Sequence, residues 1–149
     1  MNKKSKSSVV ATILEREHEP AIKEWLRRVN LLPALTHIVL SDEDRAFHLP
    51  KLFQELARRL RLAKGAVLPE STSGTEHGQR RRGQGYSLAM LVEESRLFQV
   101  VTFGTLHLHQ NELDQDQLLL DVMVIADEVD LQLTQAVRCF ETQPSQAVA

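Results

Sequence analysis

Apolar residues in this chain recur at intervals of three and four and almost never two, and no other feature constrains the fold as tightly. A half-buried strand needs alternation, usually of β-branched residues, and no stretch supplies it. The reading is therefore all-α. At 149 residues and 42% hydrophobic content the chain has the size and apolar payload of one domain spanning residues 1–149.

The helical stripes divide the chain into about five or six helices, of which the last two are long. From about Ser7 to Asn30, Ile13, Leu14, Ile22, Trp25, Leu26 and Val29 share one stripe, divided at Pro20. Pro33 ends that region. Ser41 before Asp42, Glu43 and Asp44 is an N-cap followed by acid in the first turn. Pro50 opens a stronger helix with Phe53, Leu56 and Leu60 inward. Residues 64–75 read as a flexible loop, as do the ends 1–6 and 141–149.

A short polar helix follows from Glu76 to Arg82 and stops at the corner Gly83-Gln84-Gly85. Ser87 then caps a helix running to about His109, with Tyr86 placed to pack on Leu91. Its middle is apolar on most sides, so it is predicted to lie centrally, and Gly104 predicts close approach of another backbone. The final helix runs to about Phe140. Leu119, Val122, Ala126, Val129, Leu133, Ala136 and Phe140 form a seam three heptads long, which either lies on the bundle or pairs with a second copy.

Composition excludes several classes of function. The formal net charge is −2, and Lys and Arg are dispersed except at Arg80-Arg81-Arg82, which is no general nucleic-acid footprint. Cys139 is the single cysteine, so neither an intrachain disulfide nor a Cys-rich zinc site can form. The apolar stretch after Lys6 is broken by Glu15, too soon for a signal peptide or for a span of about 20 residues. The expectation is a cytoplasmic protein that binds neither nucleic acid nor membrane.

No residue pattern announces catalysis: there is no Walker loop, dinucleotide glycine signature or HExxH, and Ser87 has no nearby base. Glu15 and His18 have the spacing of one half of a di-iron motif, without a second copy. His107 and His109 lie two apart and so point to different faces of a helix. His77 and Arg81, four apart, share one face with Arg80 and Arg82 beside them, read as a solvated cationic face or an anion contact. Glu94 falls inside the apolar stripe of the central helix. A buried carboxylate needs a cation, and Arg81 is the expected partner, pinning the glycine corner to that helix.

The run from Glu76 to Leu97 resembles the N-terminal domain of RsbT co-antagonist proteins of the RsbRD type, also found ahead of bacterial histidine kinases. His77, Gly78, Arg81, Gly85, Tyr86 and Glu94 match that family's HGxxR…GY…E order. Ile22-x-x-Trp25, His48-Leu49-Pro50-x-Leu52 and Val129-Asp130-Leu131 are similar too, so the likeness covers about Ala21 to Phe140 outside the loop. It departs at Phe98, where the family often has arginine, and no kinase or STAS sequence follows within this chain.

The resemblance implies a globin-like or bundle-like helical fold without haem, acting as the sensory input of a signalling protein in stress response or ahead of a kinase or STAS output module. The resulting expectation is a non-catalytic, homodimeric domain with no cofactor and no metal that passes a conformational bias on through its last helix. Two alternatives stand beside it. One is a haem or small-molecule sensor using His48, His107 or His109. The other is a phosphotransfer protein using His77 or His18.

Overall fold

Ser8 Oγ accepts the Ala11 N–H, and from that cap the chain enters α1 (Val9–Arg16) in the computed structural model, which describes residues 8–62 and 72–142. Glu17 separates α1 from α2 (His18–Val29). The division expected at Pro20 thus falls three residues earlier, because a proline in the first helical turn sacrifices no intrahelical hydrogen bond. Pro33 opens the single turn α3 (Pro33–Thr36) rather than only ending what precedes it. Ser41 caps α4 (Asp42–Arg45) through the Asp44 N–H at 3.1 Å, as its sequence predicts.

Next come α5 (Leu49–Arg61), α6 (Thr72–Gly83), α7 (Leu88–Leu108), a 3-10 turn at Gln110–Glu112, and α8 (Gln115–Thr142). The described residues hold eight α-helices and no strand, against the five or six helices expected. The additions are the separate α1 and the single turn α3. Segments 1–6, 64–71 and 143–149, expected to be flexible, lie outside the described residues. Residues 72–75 and 141–142, expected in the loop and the tail, are helical.

The two long C-terminal helices organise the domain. α7 is covered by α2 on one side and α8 on another, while α1 packs on α5 and α6 runs along α8. The core gathers Ile13 and Leu14 of α1, Trp25 of α2, Phe53 and Leu56 of α5, Leu91 and Phe98 of α7, and Ile125 and Val129 of α8. Phe53 and Phe98 meet edge to face at 4.9 Å between centroids. Phe98, where the resembled family often has arginine, is thus a core residue. Among the described residues no helix is long and apolar enough to cross a membrane.

Close helix approach occurs on α6, not at Gly104. A Cβ on Gly78 would stand 2.3 Å from the Ala136 carbonyl oxygen, and one on Gly74 would stand 2.9 Å from the Gln132 carbonyl oxygen. The two glycines, four apart, form a flat strip on which the α8 backbone rests. Around Gly104 a Cβ would meet nothing within 4 Å, so the backbone contact expected there is absent among the described residues.

These glycines should respond to substitution in opposite directions. Gly78→Ala must push two backbones apart and should lose about 1–3 kcal/mol of stability in urea titration. Gly104→Ala adds a methyl to open space in a helix interior and should gain about 0.5–1 kcal/mol.

Candidate functional site

α6 ends in a Schellman turn, and that turn aims the side chains of the site. The Tyr86 N–H donates to the Arg81 carbonyl and the Gly85 N–H to the Arg82 carbonyl, with Gly85 at φ +88°. Only a residue without a Cβ takes that conformation cheaply, which is why the expected corner carries glycine at position 85. Ser87 Oγ then accepts the Met90 N–H and starts α7. The corner brings Arg81, Tyr86 and Glu94 together from three consecutive pieces of chain.

Arg81 and Glu94 form the ion pair expected from sequence, and both are almost wholly buried, at 0% and 2% exposure. Arg81 Nε donates to Glu94 Oε1 at 2.9 Å and a terminal nitrogen to Oε2 at 3.1 Å, a two-pronged contact. Tyr86 lays its ring 4.5 Å from the guanidinium carbon and donates its hydroxyl to Glu94 Oε2 at 3.0 Å. Arg81 also donates to Gln84 Oε1 at 2.8 Å and to the Arg45 carbonyl. Burial pushes the Glu94 carboxyl upward while Arg81 and Tyr86 pull it back, and Tyr86 itself is pushed up to about 12 by burial and by Glu94.

Arg45, which the sequence reading did not single out, completes the network. It is 2% exposed, donates to Tyr86 Oη at 2.7 Å, and donates to the carbonyls of Leu35 and Ile38 at 3.3 and 2.6 Å. Trp25 Nε1 donates to the Glu94 carbonyl at 3.2 Å, tying α2 to the same turn of α7. Helices α2, α4, α6 and α7 therefore converge on one polar centre inside an apolar domain.

The three arginines do not share the one solvated face read from their spacing: Arg80 is exposed, Arg81 is buried and Arg82 is half-buried. Arg80 stacks on Phe47 at 4.2 Å and pairs with Asp44 at 3.5 Å. Arg81 turns inward to Glu94, while Arg82 reaches the Phe140 carbonyl with its guanidinium 5.4 Å from that ring. Side chains 100° apart on the helix thus fasten α6 to α4, α7 and α8 in turn.

His77 faces inward beside Arg81 and stacks on His48, with centroids 3.7 Å apart and planes 17° from parallel. Trp25 meets His48 edge-on at 5.9 Å. His77 Nδ1 is buried and has no hydrogen-bond partner among the described residues. Burial and the adjacent Arg81 and Arg80 charges pull His77 down to about 3, and burial, then His77, lowers His48 strongly. Both rings are neutral at physiological pH.

Ligand atoms of His48, His77 and Glu94 lie within 4.8 Å of one another, which invites a metal. The stack argues otherwise: in-plane lone pairs of nearly parallel rings cannot both point at one ion about 2.1 Å away. Glu94 is already held by Arg81, whose charge repels a cation. As arranged, the group is a polar plug beside a cavity of about 30 Å3, which also touches Ser95, Phe98, Val129 and Gln132. That volume holds about two water molecules, while His48 and His77 also line a second cavity of about 200 Å3 with Phe47, Lys51, Ser73, Glu76 and Arg80.

The remaining predicted residues are dispersed. His18 Nδ1 lies 2.7 Å from the Glu15 carbonyl. His107 is exposed, and His109 contacts Glu112 at 3.2 Å near Arg16. Neither belongs to the centre around His48. Of the heptad seam, Val129 and Ala136 are buried within this chain, Val122, Ala126, Leu133 and Phe140 are half-buried, and Leu119 is exposed. Comparison with protein-family models, with curated proteins and with solved structures found no match.

Two measurements test the energetics. Glu94→Leu leaves the Arg81 charge buried alone and should cost about 3–5 kcal/mol, whereas adding Arg81→Met should recover much of that loss, so the double-mutant cycle should show strong coupling. The imidazoles should leave a pH signature. Unfolded histidine titrates near 6.5 while the native rings stay neutral far below, so the unfolded chain gains protons first. Stability should fall as pH drops from about 6.5 toward 3 and be insensitive to these rings above that window. Combined His48→Asn and His77→Asn should flatten that part of the urea-midpoint profile.

Proposed function

We propose that this chain is a non-catalytic input domain of bacterial signal transduction, of the RsbRD N-terminal type that its sequence resembles. It serves a kinase or STAS output module present in the same protein or on another chain. The observation that carries the reading is convergence. His77, Gly78, Arg81, Gly85, Tyr86 and Glu94, with Trp25 and His48, were matched by order along the sequence, and they meet at one buried centre or its glycine support.

The physical content of the proposal is a relay. Arg81 ties α6 to α7 at Glu94, and the Gly74 and Gly78 strip lays α6 on the α8 backbone. Because that contact is backbone on backbone, α6 cannot shift without displacing α8. A signal that repacks the Glu94 surroundings therefore biases the helix that leads out of the domain. A cytoplasmic setting belongs to the same proposal.

A chimera tests it. With a histidine-kinase core joined in helical register after Thr142, Glu94→Gln and Gly78→Ala should change the autophosphorylation rate severalfold relative to the wild-type chimera. The same rate in all three folded chimeras would overturn the reading.

A further inference from the structure

α8 is apolar on two opposite sides, and the described residues cover only one. Ile125, Val129, Gln132 and Ala136 face inward and are buried. At 100° per residue, Leu119, Leu120 and Met123 fall on the far side, where they are 71%, 54% and 60% exposed. Leu131, 39% exposed, continues the same face beyond Asp127 and Asp130. A helix apolar on both sides is normally covered on both.

The charge around this face selects its occupant. From Leu97 to Val137 the chain has no Lys or Arg but carries Glu112, Asp114, Asp116, Asp121, Asp127, Glu128 and Asp130. Asp127 and Glu128 share Arg59 of α5. Asp116 and Asp130 are exposed and flank the apolar cluster on the outward face. A second copy of this helix does not complement it: antiparallel pairing about Met123 sets Asp116 against Asp130, and parallel pairing sets each acid against itself.

We infer that the outward face of α8 from Asp116 to Leu131 docks a basic amphipathic helix, with Leu119, Leu120 and Met123 taking its apolar stripe and Asp116 and Asp130 its cations. This deepens the input-domain reading, on which it rests for its biological sense, by giving the partner's contact segment a chemistry. The apolar residues supply affinity, and the acids supply orientation and salt dependence. It also assigns Leu119 to a heterotypic contact rather than to a homodimer seam.

The probe is a fluorescent Leu/Lys peptide of about 18 residues with leucines on one helical face, matched to the length of the docking face. Its Leu/Glu counterpart is the control, and anisotropy is measured with the full chain. The Leu/Lys peptide should bind and the Leu/Glu peptide should not. Leu120→Gln with Met123→Gln should weaken binding at least about tenfold. Asp116→Asn with Asp130→Asn should weaken it and flatten its salt dependence. All four side chains are solvent-exposed, and circular dichroism verifies that the fold stands.

Failure of the Leu/Lys peptide to bind would overturn the inference. So would equal binding of both peptides, or binding unchanged by Leu120→Gln with Met123→Gln, which means charge attraction alone. Light scattering that finds a dimer abolished by those two substitutions would replace the basic helix with a second copy. The kinase chimera separates the two levels. Responsive chimeras with no peptide binding leave the input reading intact without this surface, and peptide binding with unresponsive chimeras leaves the surface without the relay.

Discussion

The ion pair between Arg81 and Glu94 is the interaction on which the interior depends. A charge placed at zero exposure costs several kcal/mol unless it is paired and its remaining hydrogen-bonding positions are filled. Here the two carboxylate oxygens receive three donors, and the guanidinium spends its other hydrogens on Gln84 and on the Arg45 carbonyl. These partners come from α4, the α6 corner and α7. The pair is stable only when those pieces occupy their native positions, so it makes their relative placement all-or-none.

The pair sets position because α6 is a poor helix by its own resources. It holds three glycines, and its apolar content is almost nil, so neither propensity nor an amphipathic stripe accounts for its place. Its fixings are discrete: the Gly74 and Gly78 strip against α8, the Schellman turn at Gly85, and three arginines pointing three ways. A helix held by a few specific contacts has fewer alternative packings than one held by a broad greasy face, and it moves as a unit when one contact changes. The proposed relay through this element is therefore physically economical.

What could be read from the sequence follows from how local each determinant is. The helices of α5, α7 and α8, the Ser41 and Ser87 caps and the glycine corner are written in spacings of a few residues. The Arg81 partnership was legible because an acid within an apolar stripe demands a cation and one basic cluster lay nearby. Arg45 was not legible: it follows Asp42, Glu43 and Asp44, and a charged four-residue run looks like surface until the tertiary fold turns it inward. His77 shares a face with Arg81, but spacing alone states which residues share a face, not which way the face points. Gly104 and Gly78 make the same point, since a glycine in a helix marks permission for close approach and the neighbour decides whether it is used.

Hydrophobic patterning along α8 from Leu119 to Phe140 reads as one heptad seam, but the fold resolves two faces a half-turn apart, one taken by α5, α6 and α7 and one left exposed by the described residues. Keeping leucine at 71% exposure works against solubility, and the surrounding aspartates offset that by like-charge repulsion between copies. The same charges then act as a filter: they disfavour self-association and steer a cationic helix toward the apolar cluster they border. α8 thus joins the buried Glu94 centre, through the glycine strip of α6, to an exposed face with a defined preference in charge. Any force that re-seats α6 on its inner side alters the presentation of that outer one.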